Sequence, residues 1–140
     1  MKTSRLLLIT TFFLSSVTLY AKDYNASLFG IKSNGTTLNT NSIQKGIDYV
    51  SENGGGRLVF YVGRYLTGTI HLKSNVTIQL EEGAILVGST NPFDYEFMSN
   101  WTALIFAHDQ TNIGITGKGV IDGQGFTVAT NLVELIHNGV

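Results

Sequence analysis

The sequence of 140 residues contains no cysteine, a single proline and few charged residues, which make up 14% of the chain. Without cysteine there is no disulfide framework, no thiolate nucleophile and no cysteine-based zinc site. The formal net charge of -1 argues against an electrostatic surface for nucleic acid, so we expect no nucleic-acid partner. The hydrophobic fraction of 43% excludes a disordered chain, and the length allows one domain at most.

The first 21 residues have the pattern of a secretory signal peptide. Lys2 and Arg5 form a basic start, residues 6–19 are uncharged and mostly apolar, and Ala21 provides a small residue for cleavage. The apolar stretch is short for a membrane-spanning helix, which needs about 20 residues, and no second stretch is long enough. We therefore predict a signal peptide at residues 1–21, export of the mature chain to the periplasm or the medium, and no membrane span.

One amphipathic helix is predicted near the start of the mature chain, within residues 41–50. Thr40 or Asn41 is expected to cap its first turn. Residues 54–56 are three glycines, which are expected to end it because glycine tolerates the left-handed conformation after a helix. The prediction rests on apolar residues that fall on one helical face, namely Ile43, Ile47 and Val50.

From residue 57 onward the pattern changes to the two-residue alternation of β-strands. It is clearest at residues 76–80, where apolar and polar side chains alternate. The strands are short, and glycine or asparagine separates them repeatedly. The predicted strands cover residues 57–62, 69–73, 76–80, 84–87, 104–107, 112–116, 120–122 and 132–136.

Two all-β architectures fit this series of strands, an antiparallel sandwich and a parallel β-solenoid. Composition and periodicity alone do not choose between them. The predicted helix favours the solenoid, because a solenoid needs a cap over its apolar end. Asn-Gly and Asp-Gly hairpins, which are typical of antiparallel pairing, are also nearly absent between adjacent strands.

Acidic residues are the first candidates for acid–base chemistry, but the sequence offers no obvious pair. Glu81 and Glu82 are adjacent and would point to opposite faces of a strand, so we expect them in a solvated turn. Asp122 lies beside glycine and is expected to serve turn chemistry. Asp94 and Glu96 lie among aromatic residues, which either bind a sugar or pack as a loop over the core. Of these two interpretations we expect the packed loop.

The three histidines show no metal-ligand spacing, so no metal site is predicted. They are His71, His108 and His137. His71 is expected to face outward, because it alternates with Ile70 and Leu72. The glycine-rich stretches match neither a phosphate-binding loop nor a dinucleotide fingerprint, and no nucleophile elbow is present.

Several short motifs follow one another along the mature chain, at residues 28–31, 33–44, 54–60, 63–68, 72–78, 80–86 and 115–125. The last of them ends in Asp-Gly-Gln-Gly at residues 122–125. In this order and spacing, residues 24–125 resemble the start of polygalacturonases, the pectin-hydrolysing glycoside hydrolases of family 28. The resemblance therefore covers nearly all of the mature chain.

The resemblance implies a single-stranded right-handed parallel β-helix over residues 22–140, all-β apart from the N-terminal helix that caps its first turns. It implies hydrolysis of galacturonan or rhamnogalacturonan with inversion, in which carboxylates activate water and protonate the leaving oxygen. It further implies an acidic plant cell-wall polysaccharide as partner, without a metal or an organic cofactor.

The family's catalytic motifs are Asn-Thr-Asp, Asp-Asp, Gly-His-Gly and Arg-Ile-Lys, and none of them occurs in this sequence. We therefore assign no catalytic, cofactor-binding or metal-binding residue. We expect the catalytic residues beyond Val140, so that residues 22–140 are the N-terminal part of a larger hydrolase and are inactive alone. Two alternatives are a non-catalytic β-helix module that binds sugar or acts as an adhesin, and a pectate-lyase-like eliminase, which needs calcium-binding acids.

Overall fold

The computed structural model describes residues 21–99 and 101–139. The predicted signal peptide lies outside the described residues, apart from Ala21. Along the described residues, eleven strands, two α-helices and two 3-10 helices follow one another. They are β1 (Asp23–Asn25), a 3-10 helix (Ala26–Phe29), α1 (Thr40–Glu52), β2 (Gly56–Phe60), β3 (Gly63–Thr67), β4 (Ile70–His71), β5 (Val76–Leu80), β6 (Ala84–Gly88), a second 3-10 helix (Pro92–Asp94), β7 (Phe97–Met98), β8 (Trp101–Thr102), β9 (Ile105–Phe106), β10 (Gly114–Gly117), β11 (Val120–Asp122) and α2 (Gly125–His137).

Three parallel sheets form the framework, and the chain visits them in the same order on each circuit. Sheet A has the order β1-β2-β5-β10, sheet B the order β3-β6-β11, and sheet C consists of β4 and β9. One circuit runs through β2, β3 and β4, and the next through β5, β6 and β9. This parallel pairing excludes the antiparallel sandwich as the framework of the described residues, where β7 and β8 form an antiparallel pair outside the three sheets.

Side chains that point inward from successive circuits stack directly on one another. In sheet A, Leu58 pairs in register with Ile78, which pairs with Ile115. Leu58 and Ile78 are fully buried, whereas Ile115 is 40% exposed. The core is therefore closed at the first circuits and partly exposed at β10.

Helix α1 closes the core at its N-terminal end, as the amphipathic pattern predicts. Its three predicted apolar residues are fully buried. The helix ends at Glu52, and Gly54 and Gly55 follow with positive φ angles of 92° and 84°. The prediction that glycine ends the helix is therefore confirmed. The three buried apolar residues are Ile43, Ile47 and Val50.

The predicted caps of helix α1 are wrong. The residue before the helix is Asn39, and its buried side chain bonds to both main-chain groups of Lys32. Thr40 is already helical, and its hydroxyl accepts a hydrogen bond of 2.8 Å from the N–H of Gly68. These two side chains therefore tie the start of the helix to neighbouring loops.

Most predicted strands are confirmed, and residues 76–80 form β5 with the predicted alternation of burial. Strands β1 and β3 were not among the predictions. In β3, Gly63 and Arg64 obscure the alternation, although Tyr65 and Thr67 are buried as in other strands.

The strand predicted at residues 132–136 is wrong, because this segment belongs to helix α2. Val128, Leu132 and Leu135 are spaced by four and three residues, which is a helical period, and no glycine or proline interrupts residues 126–138. Residues 132–136 alone are too short a stretch to show that period. Val128, Asn131 and Leu135 are half-buried on one side of the helix.

Candidate functional site

A two-stranded hairpin rises from the circuit between β6 and β9. Its start is held by Tyr95, whose hydroxyl donates a hydrogen bond of 2.6 Å to the carbonyl of Ser89, and by the contact of Asp94 with the Ser89 hydroxyl. Farther along, the N–H of Glu96 donates to the hydroxyl of Thr69 at 3.0 Å. Gly68 is required where the loop crosses, because a Cβ there would collide with the main chain of Asp94.

Burial raises the pKa of the Tyr95 hydroxyl above its ordinary value, and the negative charge of Asp94 raises it further. The phenol therefore keeps its proton as pH rises beyond the range in which a free tyrosine ionises. A protonated hydroxyl is what the bond to the Ser89 carbonyl needs, since the carbonyl only accepts. Tyr95 is thus an anchor of the hairpin.

Sheet C presents His71 and Phe106 side by side on its outer face. Ile70 pairs with Ile105 and points inward, and His71 pairs with Phe106 and points outward. The prediction that His71 faces outward is confirmed. Because both strands are parallel and in register, a column of outward side chains runs across the sheet from one circuit to the next.

Four rings lie next to one another on this outer face, and we call them the aromatic–histidine face. The ring of Phe106 is central: its centroid lies 5.3 Å from that of His71, 5.4 Å from that of Trp101 and 6.4 Å from that of His108. The His71 ring meets it edge-on, and the His108 ring is parallel to it. Trp101 is half exposed and is the single tryptophan of the sequence.

Each histidine of the face is paired with a carboxylate. Nε2 of His71 lies 2.5 Å from Oε2 of Glu96, and Nε2 of His108 lies 3.0 Å from Oδ2 of Asp109. Both carboxylate side chains are mostly exposed, at 57% and 87%. The face therefore combines apolar ring surfaces with oxygen atoms that accept hydrogen bonds.

An apolar cavity of about 390 Å³ lies beside this face, between the hairpin and helix α2. Trp101 belongs to its lining and also contacts Phe106, so the two features share a wall. The other lining residues are Pro92, Tyr95, Phe97, Thr102, Ala103, Leu104, Gly123, Val128, Ala129 and Leu132.

The segment around Asp94 and Glu96 was predicted to pack as a loop over the core, and this prediction is confirmed for part of the segment. Asp94 and Tyr95 make anchoring contacts, but Phe93 and Phe97 are 69% and 74% exposed and do not cover the core. The sequence indicated that the segment either packs as a loop or binds sugar. In the structure, its inner residues anchor the hairpin and its outer aromatic rings are exposed. Phe106 and His108, which complete the face, were not connected to it, because only the pairing of β4 with β9 brings them there.

The remaining candidate acids lie away from the aromatic–histidine face. Glu81 and Glu82 occupy the turn between β5 and β6, as predicted. Asp122 ends β11, and its carboxylate accepts from the N–H of Gln124 at 3.1 Å, which is the predicted turn chemistry. His137 is exposed at the end of α2. In the described part of the chain, no three acidic or histidine side chains come together as metal ligands.

Comparison with known proteins finds homologues that match most of this chain. No family model matches the chain. An exo-poly-alpha-D-galacturonosidase from Dickeya chrysanthemi is 37% identical over 141 residues, which cover 89% of this chain and 23% of the relative. This chain is a homologue of the polygalacturonases of glycoside hydrolase family 28. The resemblance seen in the sequence motifs is thereby confirmed.

Solved structures agree with this relationship. A candidate glycosyl hydrolase from Parabacteroides merdae matches with a TM-score of 0.80 and 56% identity, over 84% of this chain and 51% of that one. The family 28 exopolygalacturonase of Yersinia enterocolitica matches with a TM-score of 0.65 and 39% identity, over 74% of this chain and 21% of that one. This chain thus spans from about a fifth to about half of the length of these proteins.

Among the helices of the described residues, none combines the length and the apolar character needed to cross a bilayer.

Proposed function

We propose that residues 22–140 are the N-terminal part of an exported glycoside hydrolase that cleaves galacturonan or rhamnogalacturonan in pectin. The observation that carries this proposal is the 37% identity to a bacterial exo-poly-alpha-D-galacturonosidase over 89% of the chain. The three parallel sheets and their regular order of visits support it, because they build a surface that successive circuits extend. The substrate is then an acidic plant cell-wall polysaccharide.

The fold of the whole protein, in this proposal, is a right-handed single-stranded parallel β-helix. Right-handed crossovers are strongly preferred between parallel strands of one sheet, which supports the handedness. Further circuits would add strands beside β9, β10 and β11. They would cover the inward side chains of Ile115 and Ile121, which are 40% and 41% exposed, in the same way that β10 now covers β5.

Hydrolysis with inversion needs two carboxyl groups about 6.5–9.5 Å apart, one to protonate the leaving oxygen and one to activate water. The sequence contains none of the family's catalytic motifs, and each acid near the aromatic–histidine face contacts another side chain: Asp94 the Ser89 hydroxyl, Glu96 the His71 ring and Asp109 the His108 ring. We therefore place the catalytic acids in residues that follow this chain, and assign residues 22–140 to substrate binding and to closure of the fold.

The test is an assay of the protein encoded by the complete reading frame on polygalacturonate. A polygalacturonase produces new reducing ends without unsaturated products. Unsaturated products would point instead to the eliminase, and cleavage of neutral polymers alone would exclude the proposed substrate. A galacturonosidase preparation serves as the positive control for new reducing ends, and a pectate lyase preparation serves as the positive control for unsaturated products.

A non-catalytic sugar-binding module is the second candidate, and the exposed aromatic–histidine face is the observation in its favour. Such a face binds sugar without any catalytic acid. Retention on polygalacturonate without release of reducing ends would support this candidate against the hydrolase.

Export is part of the proposal, and the N-terminal sequence pattern supports it. The test is expression of the complete reading frame with its native start, followed by fractionation and N-terminal sequencing. We expect a mature protein in the periplasm or the medium that begins at Lys22. Unprocessed protein that stays in the cytoplasm would contradict export.

A further inference from the structure

We propose that the aromatic–histidine face is a sugar-binding subsite that holds one galacturonate residue of the polysaccharide, in front of the first two circuits. The inference rests on the proposed function, and it assigns the subsite to Trp101, Phe106, Glu96 and Asp109. The imidazoles of His71 and His108 act as positioning groups for the two carboxylates.

The ring surfaces supply the apolar half of this subsite. Galacturonate has the galacto configuration, in which the axial hydroxyl leaves a patch of C–H bonds on one face of the pyranose. Such a patch packs on an aromatic ring, and Trp101 offers a half-exposed ring in contact with Phe106. Phe106 is half-buried within the cluster, so its ring is held in place before a ligand arrives.

The carboxylates supply the polar half. Glu96 and Asp109 each direct one oxygen at a histidine, at 2.5 Å and 3.0 Å. In each carboxylate the second oxygen is on the same mostly exposed group and accepts a hydrogen bond from a sugar hydroxyl. The histidine contact fixes the side chain, so less conformational entropy is lost on binding.

The position of the subsite on sheet C determines the direction in which the bound polysaccharide runs. His71 and Phe106 belong to consecutive circuits and are paired in register. Each further circuit would place its outward residue beyond Phe106 in the same column. A linear polysaccharide on this column crosses the circuits one after another, so the face holds the sugar residue nearest the capped end of the stack.

Helix α1 and strand β4 make this end a fixed boundary. The amide side chain of Gln44 occupies the hydrogen-bonding groups of the His71 main chain on the side away from β9. Within the described part of the chain, sheet C therefore does not extend past β4, and the column of outward residues starts at His71. Because we place the catalytic acids in residues that follow this chain, the subsite in this proposal binds a sugar remote from the bond that is cut.

Two variants of the complete protein test the inference, Trp101→Ala and Glu96→Ala. We expect both to raise KM on polygalacturonate about tenfold with kcat unchanged, because a remote subsite contributes equally to ground state and transition state. Affinity electrophoresis in gels with polygalacturonate gives the second readout, and the retardation of the wild type should be lost in both variants. Gels with hydroxyethylcellulose, a polymer of gluco configuration, should retard none of the proteins.

Matched controls are Phe93→Ala and Glu82→Ala, which remove an exposed aromatic ring and an exposed acid outside the face. Circular dichroism melts establish that all four variants are folded. If KM and gel retardation of the Trp101 and Glu96 variants equal those of the controls, the subsite is overturned while the hydrolase proposal stands. If the wild type cleaves no polygalacturonate, the hydrolase proposal fails, and gel retardation alone decides the subsite.

Discussion

The side-chain amide of Gln44 pairs with both main-chain hydrogen-bonding groups of His71. Its Oε1 accepts from the N–H of His71 at 2.8 Å, and its Nε2 donates to the carbonyl at 3.0 Å. A strand edge with unpaired groups invites pairing with another chain, and native proteins cover such edges. Here one side chain from helix α1 replaces the neighbouring strand, so the helix closes sheet C as well as the core.

We expect Gln44→Ala to lower the free energy of unfolding by about 1–3 kcal/mol, because two buried or half-buried main-chain groups lose their partners. Gln44→Glu should also be destabilising, since a carboxylate cannot donate to the carbonyl. Chemical denaturation of the complete protein measures both. Lys45→Ala, at an exposed position of the same helix, is the control and should change stability by less than about 0.5 kcal/mol. Equal stabilities of the Gln44 and Lys45 variants would contradict the pairing.

Successive circuits are also linked at a turn, where the Asn112 amide donates to Oδ1 of Asn75 at 3.0 Å. Both residues have positive φ angles, 66° at Asn75 and 54° at Asn112. Asn75→Gly removes the side-chain bond but keeps the conformation accessible, whereas Asn75→Ala removes the bond and adds backbone strain. We expect the alanine variant to be less stable than the glycine variant by about 1 kcal/mol. The reverse order of their unfolding midpoints would contradict this account.

Helix α1 packs closely on the core at Gly46. A Cβ there would lie 3.1 Å from Cδ2 of Leu58 and 3.2 Å from Cδ2 of Phe29. The helix propensity of alanine favours Gly46→Ala by about 1 kcal/mol, but crowding in a packed core costs about 1–3 kcal/mol. We expect a net loss of stability in chemical denaturation. Asn41→Ala, at an exposed site of the same helix, should be neutral or stabilising, and a stabilised Gly46→Ala would show that the interface is looser than described.

The sequence predicted those elements whose pattern is strong within a short window. Residues 76–80 alternate without interruption and form β5, and the face of Ile43 and Ile47 identifies helix α1. Strand β3 was missed because Gly63 and Arg64 precede its two buried residues. Helix α2 was mistaken for a strand because the window of residues 132–136 contains less than two helical turns.

The candidate site was harder to predict, because it depends on pairing between distant segments. The aromatic and acidic character of residues 91–101 was evident, and so was the outward direction of His71. Phe106 comes beside His71 only through the register of β4 and β9, across 35 positions of the sequence. Local pattern contains no information on that register, since it is fixed by the packing of complete circuits.

Alkaline pH should destabilise the protein through the phenols of Tyr65, which is buried, and Tyr95, which is half-buried. Burial raises the pKa of Tyr65, and burial with the charge of Asp94 raises that of Tyr95. The folded state thus retains protons that the unfolded state releases near pH 10, and the stability from these groups is present below about pH 10 and lost as pH rises through the folded values. Unfolding free energies measured from neutral to alkaline pH should fall above that range. In Tyr95→Phe the fall should be smaller, and an unchanged slope would contradict the role of Tyr95.

We propose that the complete protein adds water across a glycosidic bond of galacturonan. Digestion of polygalacturonate in water enriched with heavy oxygen, followed by mass spectrometry of the oligosaccharides, tests it directly. We expect one heavy oxygen atom at each new reducing end and no unsaturated residue. Products without the label that carry an unsaturated residue, or a polymer left intact by folded protein, would contradict it.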